Sequence, residues 1–206
     1  MEAQQGFTRK CLEILVASNC RIQMITKSNM VVRDDDLLTK IPTTVAITIT
    51  TDDENLARIF EPNAPSPSQR IRAVQDLIGK GIPVSVRVDP IIPFVNENPA
   101  SLIAQLSCIG VKHITTSTYK PKPDNWRRVC QAFPGVAEKL KLLYFQQGER
   151  VGGNMLLPKD LRLNLLTKVR EAATANGMKF GVCRENLPQL NTAACDGSWL
   201  ISSVLR

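Results

Sequence analysis

Short β-branched segments recur between stretches of helical periodicity, and within each segment apolar and polar residues alternate. In TVAITIT (44–50), Val45, Ile47 and Ile49 share one face, with Ala46, Thr48 and Thr50 on the other. Val84, Val86 and Val88 oppose Ser85, Arg87 and Asp89 in the next segment, and His113, Thr115 and Ser117 line up in the one after. In IQMITK, Gln23 and Lys27 share a parity, with Ile25 between them. Parallel sheets covered on both faces are apolar throughout. Here one face is apolar and the other carries Lys, Thr, Arg, Asp, His and Ser. Burying those groups without partners costs several kcal/mol each. A curved sheet or open barrel whose lumen binds a ligand meets the need. A self-satisfied polar core, with Lys27 paired to Asp89, is the other solution.

The spacing predicts strands over 22–26, 44–50, 84–88, 111–118 and 178–183. Helices are expected over 7–18, 33–41, 52–60, 68–80, 101–110, 124–132 and 158–176, three of them closed by Gly81, Gly110 and Gly177. EPNAPSPS (61–68) reads as a loop, and 133–157 has no clear pattern. Strands separated by helices mean right-handed βαβ units and a parallel sheet. The α/β reading covers 1–206 as a single domain, and with 43% apolar residues a core of that size is affordable.

Composition narrows the function. With 26 Lys and Arg against 19 Asp and Glu, the formal charge is +7, a mild excess suited to an anionic ligand or nucleic acid. No window reaches the roughly 18 apolar residues of a membrane span, and no charged-then-apolar leader opens the chain. His113, the single histidine, argues against a His-rich metal site. No two of the six cysteines are separated by two or three residues, so zinc-ribbon, thioredoxin and ferredoxin spacings are missing. They read as reduced, mostly structural thiols of a cytoplasmic protein, with Cys183 and Cys195 flanking a loop.

The segment ends bear Lys27, Ser28, Thr50, Thr51, Asp89, Pro90, Thr118 and Tyr119, chemistry for a ligand with carboxylate, amino and ribose groups. YKPKPDNWRR combines Lys120, Lys122, Arg127 and Arg128 with Tyr119 and Trp126. That mixture suits a nucleic-acid strand, or equally a solvated loop feeding a helix. GERVGGN (148–154) reads as a flexible turn and Glu61 as a loop anchor. Ser28, Ser66 and Ser198 lack the context of a hydrolase nucleophile.

The series TKS (26–28), RDDDLL (33–38), the Thr-rich strand, FEP (60–62), APSPSQR (64–70) and RVDPIIP (87–93) resembles the radical S-adenosylmethionine (SAM) proteins of the spore photoproduct lyase-like, or DNA repair photolyase-like, group. The likeness is best over 7–115. It implies a partial (βα) barrel, TIM-barrel-like, that binds SAM and a 4Fe–4S cluster at the strand carboxyl ends. By resemblance Lys27 holds the SAM carboxylate and Thr48 contacts the same amino-acid moiety, with Ser28 and Thr50 close by. Arg87, Asp89 and the Pro90–Ile92 turn wall the nucleoside. The group's Cys-x-x-x-Cys-x-x-Cys is absent from these residues. The first two βα units are therefore expected to be missing, with Met1 an internal methionine used as a start, or the chain a fragment. Without the three thiolates, reductive cleavage of SAM has no electron donor, so no metal site and no activity are expected of the chain alone. An edge left open beside 22–26 invites self-association or a partner chain carrying the cysteine loop. DNA or another anionic molecule is the implied substrate. The alternatives are a cluster-independent (βα)-barrel enzyme using Lys27, Arg87 and Asp89 on a phosphorylated or nucleotide ligand, and a non-catalytic nucleic-acid-binding domain using 119–128.

Overall fold

The computed structural model describes residues 2–18 and 20–204, without the side chains of 202–204; Met1 falls outside the described residues. The strands are β1 (Ile22–Thr26), β2 (Thr43–Thr48), β3 (Val84–Ile91), β4 (His113–Thr118), β5 (Glu149–Val151), β6 (Asn154–Leu156) and β7 (Lys179–Val182). The helices are α1 (Glu2–Gln5), α2 (Phe7–Val16), α3 (Asp35–Leu38), α4 (Glu54–Phe60), α5 (Pro67–Gly79), α6 (Ala100–Cys108), α7 (Pro123–Ala132), α8 (Pro134–Lys141), α9 (Lys159–Ala175) and α10 (Trp199–Val204).

β1, β2, β3, β4 and β7 form one parallel sheet in that spatial order, which is also their chain order. A singly wound parallel sheet carries its crossover helices on one face. That face is the apolar parity. Val45, Ile47, Val86, Val88, Ile114 and Phe180 pack in one core with Leu77 of α5, Leu102 and Leu106 of α6, and Leu166 and Val169 of α9. The sheet does not close: among the described residues the outer edge of β1 has no strand partner. No described helix is long and apolar enough to cross a membrane.

Local chemistry sets the element ends. Ser66 caps α5 in a capping box with Gln69, and Pro67 occupies its first turn, where a missing N–H costs nothing. The helix expected over 33–41 is instead a 3₁₀ segment, Asn29–Asp34, followed by the single turn of α3. The unreadable stretch 133–157 holds α8, a π-helical turn (Leu142–Gln146) and the β5–β6 hairpin. Its Gly152–Gly153 turn has both φ positive (52° and 76°), as a two-residue hairpin loop requires, so GERVGGN is paired strand rather than bare turn.

The second face of the sheet is partly roofed by the C-terminal segment. The Thr115 hydroxyl donates to the Cys195 carbonyl at 2.7 Å, and Gln23 donates to the Asp196 carbonyl. Trp199 donates its indole N–H to Nδ1 of His113 at 3.1 Å. This fixes the proton on His113 Nε2, which faces the Thr115 hydroxyl at 3.1 Å. His113 is fully buried, and burial pulls its pKa down from 6.5 to about 4, against a small opposing pull from Asp196. The unfolded chain therefore binds the proton more tightly. The stability that neutral His113 confers is complete above pH 6.5 and lost as pH falls toward 4, by about 3 kcal/mol at most. Denaturant midpoints of the wild type and His113→Gln should accordingly converge between pH 7 and pH 4. A constant gap would contradict this protonation scheme.

Candidate functional site at the strand carboxyl ends

Parallel register turns the polar parity into rows. Thr48 pairs with Arg87, Arg87 with Thr115, and Thr115 with Gly181, while Lys27 follows Thr26 beside the Ile47–Thr48 step. One row thus reads Lys27, Thr48, Arg87, Thr115, Gly181. The row nearer the carboxyl ends holds Thr50, Asp89, Ser117 and Cys183.

Arg87 and Asp89 are an ion pair, with Nη2 2.7 Å from Oδ2, and the Ser117 hydroxyl donates to the other carboxylate oxygen at 2.5 Å. Burial lowers the Arg87 pKa, but Asp89 outweighs it, so the guanidinium stays charged. Lys27 does not pair with Asp89. Its ammonium meets Glu61, which also binds Arg70 and accepts from the Thr50 hydroxyl at 3.0 Å. Burial alone would raise the Glu61 pKa; Lys27 and Arg70 outweigh it and hold the carboxyl below its usual value. Arg70, itself buried, donates to the Thr48 carbonyl at 2.9 Å and the Pro65 carbonyl at 2.8 Å. Glu61 is therefore a loop anchor that also faces the site.

The Thr48 side chain is nearly buried, and its hydroxyl makes no hydrogen bond among the described residues. Ser28 is turned to another task. Its hydroxyl accepts from the Met30 amide at 3.1 Å and caps the 3₁₀ segment. Asn96 donates to the carbonyls of Thr50 (3.0 Å) and Pro90 (2.9 Å) and accepts from the Ile92 amide at 2.7 Å, tying the ends of β2 and β3 together. Above the strand ends lies a cavity of about 270 Å³, bounded by Lys27, Thr50, Glu61, Tyr119 and Arg128, with Phe60 and Phe133 among its apolar walls.

The basic segment is dispersed. Lys120 lies 2.5 Å from the fully buried Glu185 and 3.1 Å from the Thr118 carbonyl, inside the fold rather than on a surface. Lys122 donates to the Gly153 carbonyl at 3.0 Å, and Trp126 stacks edge-on against Phe145 at 5.1 Å. Arg128 pairs with Asp124 at the exposed surface, and Arg127 is exposed beside it. All six cysteines are free, and no group of three or more His, Cys, Asp or Glu side chains comes together to hold a metal ion among the described residues. A 4Fe–4S cluster has no donor set here. An amino-acid zwitterion does fit, since Lys27 and Glu61 offer opposite charges side by side and Thr48 an unclaimed hydroxyl.

Pattern reading misses Asn96 and Glu185, because a polar residue in a loop has no periodicity to betray it and Glu185 meets Thr118 and Lys120 from 67 and 65 residues away.

No model of a known protein family matches the chain. An uncharacterized protein of Acidianus two-tailed virus is 31% identical over 115 residues, 52% of this chain and 38% of its own. An uncharacterized protein of Methanocaldococcus jannaschii is 35% identical over 79 residues, 38% of this chain and 30% of its own. The chain therefore spans well under half of these relatives. Among solved structures, spore photoproduct lyase complexed with dinucleoside spore photoproduct superposes with a TM-score of 0.67 at 19% identity, covering 88% of this chain and 56% of that one. A variant of the lyase with bound AdoMet and dinucleoside spore photoproduct gives 0.63 at 18% identity, over the same shares. The likeness is one of fold: the open, singly wound sheet with its helices matches the partial-barrel core of spore photoproduct lyase.

Proposed function

We propose that this chain is the SAM-binding portion of a radical SAM domain of the spore photoproduct lyase-like kind, inactive unless a cluster-bearing segment completes it. The observation that carries the reading is the row Lys27–Thr48–Arg87, which faces the open side of the sheet at its carboxyl ends, where ligands of (βα) barrels bind. Lys27 would take the cofactor's carboxylate and Glu61 its ammonium, with the Thr48 hydroxyl on the same moiety and Thr50 braced behind. Arg87 and Asp89, locked by Ser117, would wall the nucleoside. Beside a reduced cluster SAM supplies radical chemistry; the thiolates that would hold the cluster are not among these 206 residues. The free edge of β1 is where a segment carrying them would pair, from a second polypeptide or another part of a longer one.

The phosphate-ligand reading is weaker, because each cation it needs, Lys27 and Arg87, stands beside a carboxylate, Glu61 and Asp89, that would repel a dianion, whereas a zwitterion uses both charges of the Lys27–Glu61 pair. A nucleic-acid substrate is supported by the exposed Arg127 and Arg128 next to the cavity, and by the dinucleoside held in the lyase structure. Lys120, committed to Glu185, drops out of that surface. The free thiols fit a reducing, cytoplasmic setting.

Anaerobic reconstitution with iron and sulfide tests the division of labour. The chain alone is expected to retain no stoichiometric 4Fe–4S cluster after desalting. A full complement of iron and sulfide on it, with the matching absorbance, would overturn the proposal.

A further inference from the structure

The cavity above the strand carboxyl ends has two kinds of wall. The apolar wall comes from Phe60 at the end of α4, Ile92 after β3, Tyr119 after β4, and Val129 and Phe133 in and just after α7. Ile92, Tyr119 and Val129 share a small core with Tyr144, against which Phe60 packs. The rings of Phe60 and Phe133 stand 5.3 Å apart. Tyr119 is held twice, its hydroxyl donating to Asn125 at 2.8 Å and its carbonyl accepting from the Tyr144 hydroxyl at 2.5 Å. This wall is formed before any ligand arrives. The polar wall carries both charges. Lys27 pairs with one oxygen of Glu61, the Thr50 hydroxyl donates to the same oxygen at 3.0 Å, and the buried Arg70 pairs with the other. Of the three N–H bonds of the Lys27 ammonium, the one to Glu61 is committed among the described residues. Asn125 is taken up by Tyr119 and the Lys122 amide, and Arg128 pairs with Asp124 at the exposed surface.

We propose that this cavity binds a free α-amino acid with a large apolar side chain, such as phenylalanine, with its carboxylate on Lys27, its ammonium on Glu61 and its side chain against Phe60, Tyr119 and Phe133. Charge and size both select that class. A monoanion entering here meets Glu61 and a monocation meets Lys27, whereas a group carrying both charges one carbon apart is attracted to each. The remaining walls ask for an apolar tail. At about 270 Å³ the cavity falls below the roughly 300–1,000 Å³ of sites for drug-sized ligands, which suits an amino acid better than a dinucleoside. The assignment goes beyond the cofactor reading and shares with it only the Lys27–Glu61 pair. Two ligands that place the same head group on the same pair exclude each other, so the amino acid competes with SAM.

The test is titration calorimetry of the whole chain, without SAM, against L-phenylalanine, L-alanine, hydrocinnamate and phenethylamine. The expected result is one L-phenylalanine per chain. Hydrocinnamate, which lacks the ammonium, and phenethylamine, which lacks the carboxylate, should each bind at least about tenfold more weakly. L-Alanine, which keeps the head group and loses the ring, should bind about 10- to 100-fold more weakly. In Lys27→Ala the advantage of L-phenylalanine over phenethylamine should vanish. No heat at millimolar L-phenylalanine, equal binding of either single-charge analogue, or an advantage that survives Lys27→Ala would overturn the proposal. The two readings fail separately. SAM that binds where L-phenylalanine does not removes this one alone, and L-phenylalanine that binds by these rules where SAM does not removes the cofactor reading alone.

Discussion

Glu185→Ala is expected to destabilise the fold by about 3–5 kcal/mol, the range for removing one partner of a buried charge cluster. Glu185 is among the most deeply buried carboxylates a chain can carry, and every part of it is used. The Thr118 amide donates to it at 2.7 Å, the Thr118 hydroxyl at 3.0 Å and Lys120 at 2.5 Å. Arg162, 1% exposed, stands 3.7 Å away and also donates to the Glu185 carbonyl. Truncation would leave the largely buried Lys120 without its carboxylate and an unpaired amide at the end of β4, and would leave Glu149, at 2.9 Å, as the carboxylate of the fully buried Arg162. Urea unfolding should move to markedly lower midpoint with an unchanged slope. Glu185→Gln, which keeps an acceptor for Thr118 but no charge, should fall between. A loss under about 1 kcal/mol for Glu185→Ala would mean that water reaches the cluster and that it does not hold β4, β7 and α9 together.

The alternation in β2, β3 and β4 was readable because parity is a backbone property: once TVAITIT is a strand, Thr48 and Thr50 must share a face opposite Val45 and Ile47. Parallel pairing in chain order then makes neighbours of Lys27, Thr48 and Arg87 without any knowledge of side-chain contacts. Partner choice was not readable in the same way. Alternation offered Asp89 as the partner of Lys27, whereas the structure sets Glu61 there, at the end of α4, where Arg70 of α5 also pairs with it. Lys120 looked like a phosphate ligand because a basic loop gives no hint that Glu185, 65 residues on, lies beneath it. The C-terminal roof was equally hidden. Its contacts run through the carbonyls of Cys195 and Asp196 and the single indole of Trp199, and backbone acceptors leave no mark on a sequence.

The strand-end row makes a second large effect measurable. Lys27 supplies the one charge placed for a carboxylate, and Thr48 the one hydroxyl in that row without a partner of its own. A charge-assisted hydrogen bond contributes about 1.5–3 kcal/mol, so Lys27→Ala should weaken SAM binding about 10- to 100-fold, and Thr48→Val, which preserves shape, about 5- to 10-fold. Because Lys27 sits at 47% side-chain exposure and Arg70 still neutralises Glu61, Lys27→Ala should scarcely change the unfolding midpoint, which separates a binding loss from a folding loss. Titration calorimetry of the chain with SAM under reducing conditions is the decisive measurement. One molecule bound per chain, weakened in that order by the two substitutions and untouched by Arg127→Ala on the outer surface, is the expected result. Absence of binding at millimolar SAM, or binding indifferent to Lys27 and Thr48, would contradict the assignment of this site.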